Sequence, residues 1–107
     1  MMTLATVYTI YVGLASNGST IAVPFNRTTL LDILNDRHSV GFTAIEGHGF
    51  YLGEQEPTML ILICHTDKDG PPDTFADYIC ETAKIIKEKL NQEAVWVTRK
   101  EEELVVI

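Results

Sequence analysis

Twelve residues in the middle of the chain, Gly47-His48-Gly49-Phe50-Tyr51-Leu52-Gly53-Glu54-Gln55-Glu56-Pro57-Thr58, hold three glycines, two aromatic rings and two carboxylates. Glycines let a ligand come close to the backbone. Aromatic faces receive a flat ring or a cation, and carboxylates hold positive charge. The candidate ligand contacts are therefore the backbone at Gly47 and Gly49, His48, the rings of Phe50 and Tyr51, and the carboxylates of Glu54 and Glu56. The competing reading is a decorated hairpin whose acids face solvent. Glu93 is the second point of interest, between the end of a long helix and the start of a strand. An acid there sits on the unfavourable side of the helix dipole, a small cost that hints at a task, although ordinary surface placement explains it too.

No nucleophile–base pair stands out. The chain has no GxSxG, no P-loop, no HExxH and no zinc-ligand spacing. His38, His48 and His65 are scattered and read first as structural; His48, between two glycines, is the best placed to touch a ligand. Asp67-Lys68-Asp69-Gly70 resembles the start of a calcium loop, but the later ligand positions are missing. No metal or cofactor is implied. Glu101, Glu102 and Glu103 read as a solvated connection ahead of a last strand.

The elements that must position these residues follow from periodicity and punctuation. Thr6 to Ala15 is β-branched and aromatic and reads as a strand, closed by turn chemistry at Ser16-Asn17-Gly18-Ser19. A short helix is expected from a cap at Thr28 or Thr29 through Arg37, with Leu30, Ile33 and Leu34 on one side. Ser39 to Ala44 and Phe50 to Leu52 read as strand, interrupted at Gly47-His48-Gly49 by a bulge or bend. Thr58 to His65 is a strand, Asp67 to Asp73 a loop. A long helix capped by Asp73 or Thr74 carries the stripe Phe75, Ile79, Ala83, Ile86 and Leu90. Ala94 to Arg99 is a strand, and Leu104 to Ile107 could add another. The order is βαββαβ. It predicts one α+β domain over 1–107 with a ferredoxin-like sandwich, an antiparallel sheet carrying two helices on one face.

Bulk properties narrow the function classes. A chain of 107 residues builds one modest core, so self-association is an economical way to bury more apolar surface. A net charge of -7 with no Lys/Arg stripe argues against nucleic acid or a membrane surface and favours a cationic or zwitterionic small molecule. With no apolar run long enough to span a bilayer and no leader-like start, a cytoplasmic protein is expected. The sequons at Asn17 and Asn26 then carry no meaning. Cys64 and Cys80 read as buried free thiols.

The layout resembles the PII and CutA group of ferredoxin-like proteins, trimers with ligand sites between subunits. A closer resemblance is to the S-adenosylmethionine lyases (SAMases) of bacteriophages, which share the PII-like fold. Tyr8 to Ser16 is similar to their first strand and Gly49-Phe50-Tyr51 to their Gly-x-Tyr turn. Glu56-Pro57-Thr58 is similar to the start of their Glu-x-Thr strand, and Gln92-Glu93-Ala94-Val95-Trp96-Val97 to their Gln-acid-x-Val-x-Val. The resemblance implies Tyr51, Glu56 and Glu93 as catalytic positions. The glycine segment differs in length from the family's, which leaves Glu54 and Glu56 as alternatives for the functional carboxylate. It also implies a homotrimer and a cofactor-free cleavage of S-adenosylmethionine to methylthioadenosine and homoserine lactone. In a phage, that reaction would deplete the methyl donor of host restriction–modification systems. The alternative is a non-catalytic trimeric regulator binding an adenine-containing ligand. A nucleotide binder would want Lys or Arg facing phosphates, and the glycine segment holds acids and no cation.

Overall fold

The β-branched run that opens the chain forms a strand, β1 (Thr3–Gly13), and six further elements follow: α1 (Pro24–Arg37), β2 (Thr43–Tyr51), β3 (Glu54–His65), a 3-10 turn (Asp67–Asp69), α2 (Pro72–Lys89) and β4 (Trp96–Leu104). The computed structural model describes residues 2–15, 23–39 and 41–107, apart from the side chains of Pro24 and Tyr51. The sheet order is β2-β3-β1-β4 with every neighbouring pair antiparallel. This is the expected α+β ferredoxin-like sandwich. Among the described residues no helix is long and apolar enough to cross a membrane.

Strand alternation separates the two faces of the sheet. Tyr8, Ile10 and Val12 of β1 and Met59, Ile61 and Ile63 of β3 are buried on one face. There they meet Leu30 and Leu34 of α1 and Ile79, Ala83, Ile86 and Leu90 of α2 in one core. The predicted stripe of α2 is the stripe it buries. The other face carries Val7, Tyr11, Leu60 and Leu62, all half-buried, with Ile45 and Trp96 exposed, and among the described residues no helix packs over it.

A polar joint ties α1 to α2. The Thr82 hydroxyl donates to the Tyr78 carbonyl at 2.9 Å and accepts from Arg37 Nε at 2.9 Å. Its remaining lone pair faces His38 Nε2 at 2.9 Å, so that nitrogen must carry the proton. His38 is only 6% exposed. Burial, and then the neighbouring Arg37 charge, hold its pKa below the ordinary 6.5. A lowered folded-state pKa means the unfolded chain binds the proton more tightly, so stability is complete above about pH 6.5 and falls as pH drops through the folded pKa. Thermal unfolding followed from pH 7 to 5 should show a falling midpoint, and His38→Gln should flatten that part of the profile.

Several boundaries differ from expectation. α1 begins at Pro24 rather than at Thr28 or Thr29, because the Val23 N–H and the Asn26 side-chain amide both donate to the Leu14 carbonyl, at 3.0 and 2.9 Å. Proline at the first turn suits a helix start. α2 likewise starts at Pro72, ahead of Asp73 and Thr74. β2 runs without a bulge through Gly47-His48-Gly49, its ladder with β3 unbroken from Thr43 to Tyr51. Glu101, Glu102 and Glu103 are not a connection: they lie within β4, opposite Thr6, Ala5 and Leu4. Leu104 ends β4, and Val105 to Ile107 form no further strand. Cys64 and Cys80 are exposed free thiols rather than buried ones, Cys64 falling on the uncovered sheet face. The turn expected at Ser16 to Ser19, with the Asn17 sequon, lies outside the described residues.

The β2–β3 hairpin turns on Leu52 and Gly53, with φ of 51° and 79°. Both central residues of a two-residue hairpin turn of this kind take positive φ, which Asn-Gly supplies most easily. Leucine in the left-handed region costs about 1–2 kcal/mol, and Leu52 is almost fully exposed. Leu52→Asn is therefore expected to stabilise the fold by about 1 kcal/mol, measured by urea denaturation.

Candidate functional site

Glycines gather around one stretch of β3. Gly49 of β2 lies opposite Glu56, and Gly47 of β2 and Gly13 of β1 flank Thr58 from either side. All of them share the sheet face away from the helices. The Thr58 hydroxyl donates to the Glu56 carbonyl at 3.2 Å, and a Cβ on Gly49 would fall 2.6 Å from that hydroxyl oxygen. Here the glycines contribute no side chains, and the space beside them is left to Thr58 and Glu56 of β3.

Into that space come Glu56 and Gln92. A Cβ added to Gly13 would collide with Glu56 Oε1 and lie 2.6 Å from Gln92 Oε1. The carboxylate and the amide oxygen therefore sit side by side over the Gly13 backbone. Gln92 is aimed there by the end of α2. Asn91 takes φ 51°, the Asn91 N–H donates to the Glu88 carbonyl at 3.4 Å and the Gln92 N–H to the Lys87 carbonyl at 3.0 Å. These are the two bonds of a Schellman C-cap. The Gln92 side-chain amine then donates to the Ala15 and Leu90 carbonyls, which leaves its Oε1 turned outward as an acceptor. Two acceptors facing one another call for a donor between them, and among the described residues no cation pairs with Glu56.

The candidate residues from the sequence divide. Glu56 and the glycines Gly47 and Gly49 stand together. Glu54, paired with Tyr51 beside the hairpin turn, is exposed and away from Gly13. Glu93 is exposed, one residue beyond Gln92. The backbone of Tyr51 ends β2; its side chain is outside the described residues. His48 and Phe50, exposed, alternate onto the face opposite to Glu56. His38 and His65 are buried, His65 Nε2 lying 2.9 Å from the Gly70 carbonyl. Cys64 offers no ready nucleophile, since desolvation and the nearby Asp69 and Glu102 push its pKa up. Gly13 and Gln92 were not candidates from sequence, although Gln92 directly follows an Asn at a helix end, a position a C-cap motif fixes in space.

No protein-family model matches the chain, and no curated protein sequence does either. Solved structures do match in shape. One is a phage SAM lyase in complex with S-methyl-5'-thioadenosine, with a TM-score of 0.64, 18% identity and coverage of 95% of this chain and 90% of that one. A phage SAM lyase in the apo state gives 0.66 and 18%, covering 94% and 89%. The fold is that of the phage SAM lyases. It is shared more widely: CPII, a nitrogen regulatory PII-like protein from Thiomonas intermedia K12 bound to ADP, AMP and bicarbonate, matches with a TM-score of 0.58 at 7% identity over 100% of this chain and 99% of that one.

Proposed function

We propose that this protein is an S-adenosylmethionine lyase. The observation that carries the reading is the pair of oxygens, Glu56 Oε1 and Gln92 Oε1, held over Gly13 with no cation among the described residues paired to Glu56. S-Adenosylmethionine is cationic at sulfur and carries an ammonium, which suits an acceptor-lined, acidic site. The sulfonium is already a good leaving group, so the reaction asks for no nucleophile, general acid or metal. The substrate's own carboxylate attacks its γ-carbon as the carbon–sulfur bond breaks and the bonding pair returns to sulfur. Methylthioadenosine and homoserine lactone result, with no water consumed and no proton moved.

What the protein supplies is the bend that brings carboxylate and γ-carbon together; such positioning is worth roughly 7–11 kcal/mol of a barrier. Glu56 and Gln92 receive the ammonium, Glu93 adds negative potential from the α2–β4 connection, and Tyr51 hydrogen-bonds near the reacting tail. The uncovered sheet face, with Tyr11, Ile45, Leu60, Leu62 and Trp96, supports assembly as a homotrimer with sites between subunits. A cytoplasmic location and, in a phage, depletion of the host's methyl donor go with the same reading.

Purified protein incubated with S-adenosylmethionine should yield methylthioadenosine and homoserine lactone by mass spectrometry. Glu56→Ala is expected to lower turnover on the order of 10- to 100-fold, the weight of losing a hydrogen bond to a charged group. Glu54→Ala should leave turnover within about twofold, since an exposed charge contributes little. Unchanged substrate with folded protein would sink the lyase reading. It would leave the second one, a regulator that binds an adenine-containing ligand, favoured by the fold shared with the nucleotide-bound CPII.

A further inference from the structure

At the other end of the sheet, where β1 begins and β4 finishes, the helix side opens into a cleft of about 400 Å³. Tyr8, His65, Asp67, Pro72, Arg99 and Glu101 are among its walls. The register explains why they meet. Arg99 lies opposite Tyr8, Glu101 lies opposite Thr6, and Thr6 on its other side lies opposite His65. All point to the helix-bearing face, and the 3-10 turn brings Asp67 in from the side. The back wall is rigid, with the His65 and Tyr8 rings 4.6 and 5.6 Å from Phe75.

Tyr8 is 97% buried, 3% remaining exposed, and its hydroxyl has no hydrogen-bond partner among the described residues. No fully buried side-chain N or O there lacks a partner, so the hydroxyl keeps its access to solvent through the cleft. Arg99, Asp67 and Glu101 likewise form no ion pair among the described residues, whereas Lys100 is paired with Glu102 at 3.3 Å. The cleft thus presents one guanidinium, one phenol and two carboxylates, none of them paired with another described protein group. An anion alone would meet the two acids, and a cation alone would meet Arg99. A ligand with both charges a few ångströms apart satisfies both sets at once.

We propose that this cleft binds a small zwitterion of the α-amino acid class. The guanidinium fork of Arg99 takes the carboxylate in the two-point geometry arginine favours, with the Tyr8 hydroxyl as a further donor. Asp67 and Glu101 take the ammonium, and Pro72 offers an apolar wall to the side chain. The volume lies within the range of about 300–1,000 Å³ usual for small-molecule clefts. The site is separate from Glu56 and Gln92 and does not depend on the lyase reading.

The test is a backbone-amide NMR titration of the full chain with L-methionine, acetate and methylamine. Saturable shifts at Thr6, Tyr8, Asp67 and Arg99 with L-methionine are expected, and they should persist in Glu56→Ala, which removes the carboxylate of the Gly13 site. Both single-charge probes should bind about tenfold or more weaker, and Arg99→Gln and Asp67→Asn should each weaken L-methionine by about the same factor. Both substitutions are at exposed positions, and Tyr8→Phe, which keeps the ring packing, should weaken it less. Absence of saturation, acetate binding as tightly as L-methionine, or shifts confined to the Gly13 end would each overturn the proposal.

Discussion

Replacing Gly13 by alanine is expected to cut S-adenosylmethionine cleavage by about 10²-fold, the usual consequence of displacing a reacting geometry by an ångström or so. Gly13 lies in a regular strand and has no positive φ, so the backbone itself accepts alanine. The cost comes from crowding, because the new methyl would occupy the space in which Glu56 Oε1 and Gln92 Oε1 now meet. Gln92 cannot swing away freely while its amine holds the Ala15 and Leu90 carbonyls, so Glu56 must move. Overpacking of this kind also costs about 1–3 kcal/mol of stability, which the unfolding midpoint would register. Gly41→Ala is the matched control: a Cβ there meets nothing within 4 Å, Gly41 precedes β2 and lies outside the site, and activity should stay near wild type. A Gly13→Ala protein that is folded and fully active would show that the apposition of Glu56 and Gln92 is not the reacting arrangement.

Ile61→Ala should be among the most destabilising single changes, at about 2–5 kcal/mol. Ile61 has no exposed surface and sits mid-strand on β3, opposite Ile10 on one side and Ala44 on the other. Both helices contribute to the core cluster that contains it. Domains of this size are stable by only about 5–15 kcal/mol, so a loss of that size lowers the unfolding temperature by roughly 10–30 °C. Urea denaturation should show a lower midpoint with an unchanged slope, which separates lost packing from a change in the unfolded chain. A midpoint within error of wild type would mean that the cavity is refilled by its neighbours.

The sandwich was legible because β3 and α2 announce themselves in residue type and period, and the order of elements leaves few ways to connect them. What escaped were features decided by partners distant in the chain. The acidic run Glu101 to Glu103 has poor strand character by itself; it is extended because β1 offers it an open edge to pair with. The start of α1 depends on the Leu14 carbonyl, which no local capping rule contains. Cys64 follows simple alternation, whose outward half was hidden by the apolar residues around it. At the site, Glu56 and the glycines could be named from composition, whereas which of Glu54 and Glu56 lies beside Gly13 required the structure. Treating Gly47 to Gly49 as a break, rather than as strand, is what concealed that His48 and Phe50 face away from Glu56. The importance of Gly13 was invisible, since it consists of what a side chain there would obstruct.

The bond from the Gln92 side chain to the Ala15 carbonyl joins residues 77 positions apart. It makes the site a reporter of the order of assembly. Neither the segment containing β1 nor the hairpin and α2 can form the Glu56–Gln92 apposition alone, and closing so long a loop comes late in folding. In a refolding experiment, secondary structure should return first and catalytic competence with the final docking of the two halves. Partial unfolding that frees the end of α2 would silence the protein while most of its helix and sheet signal remains.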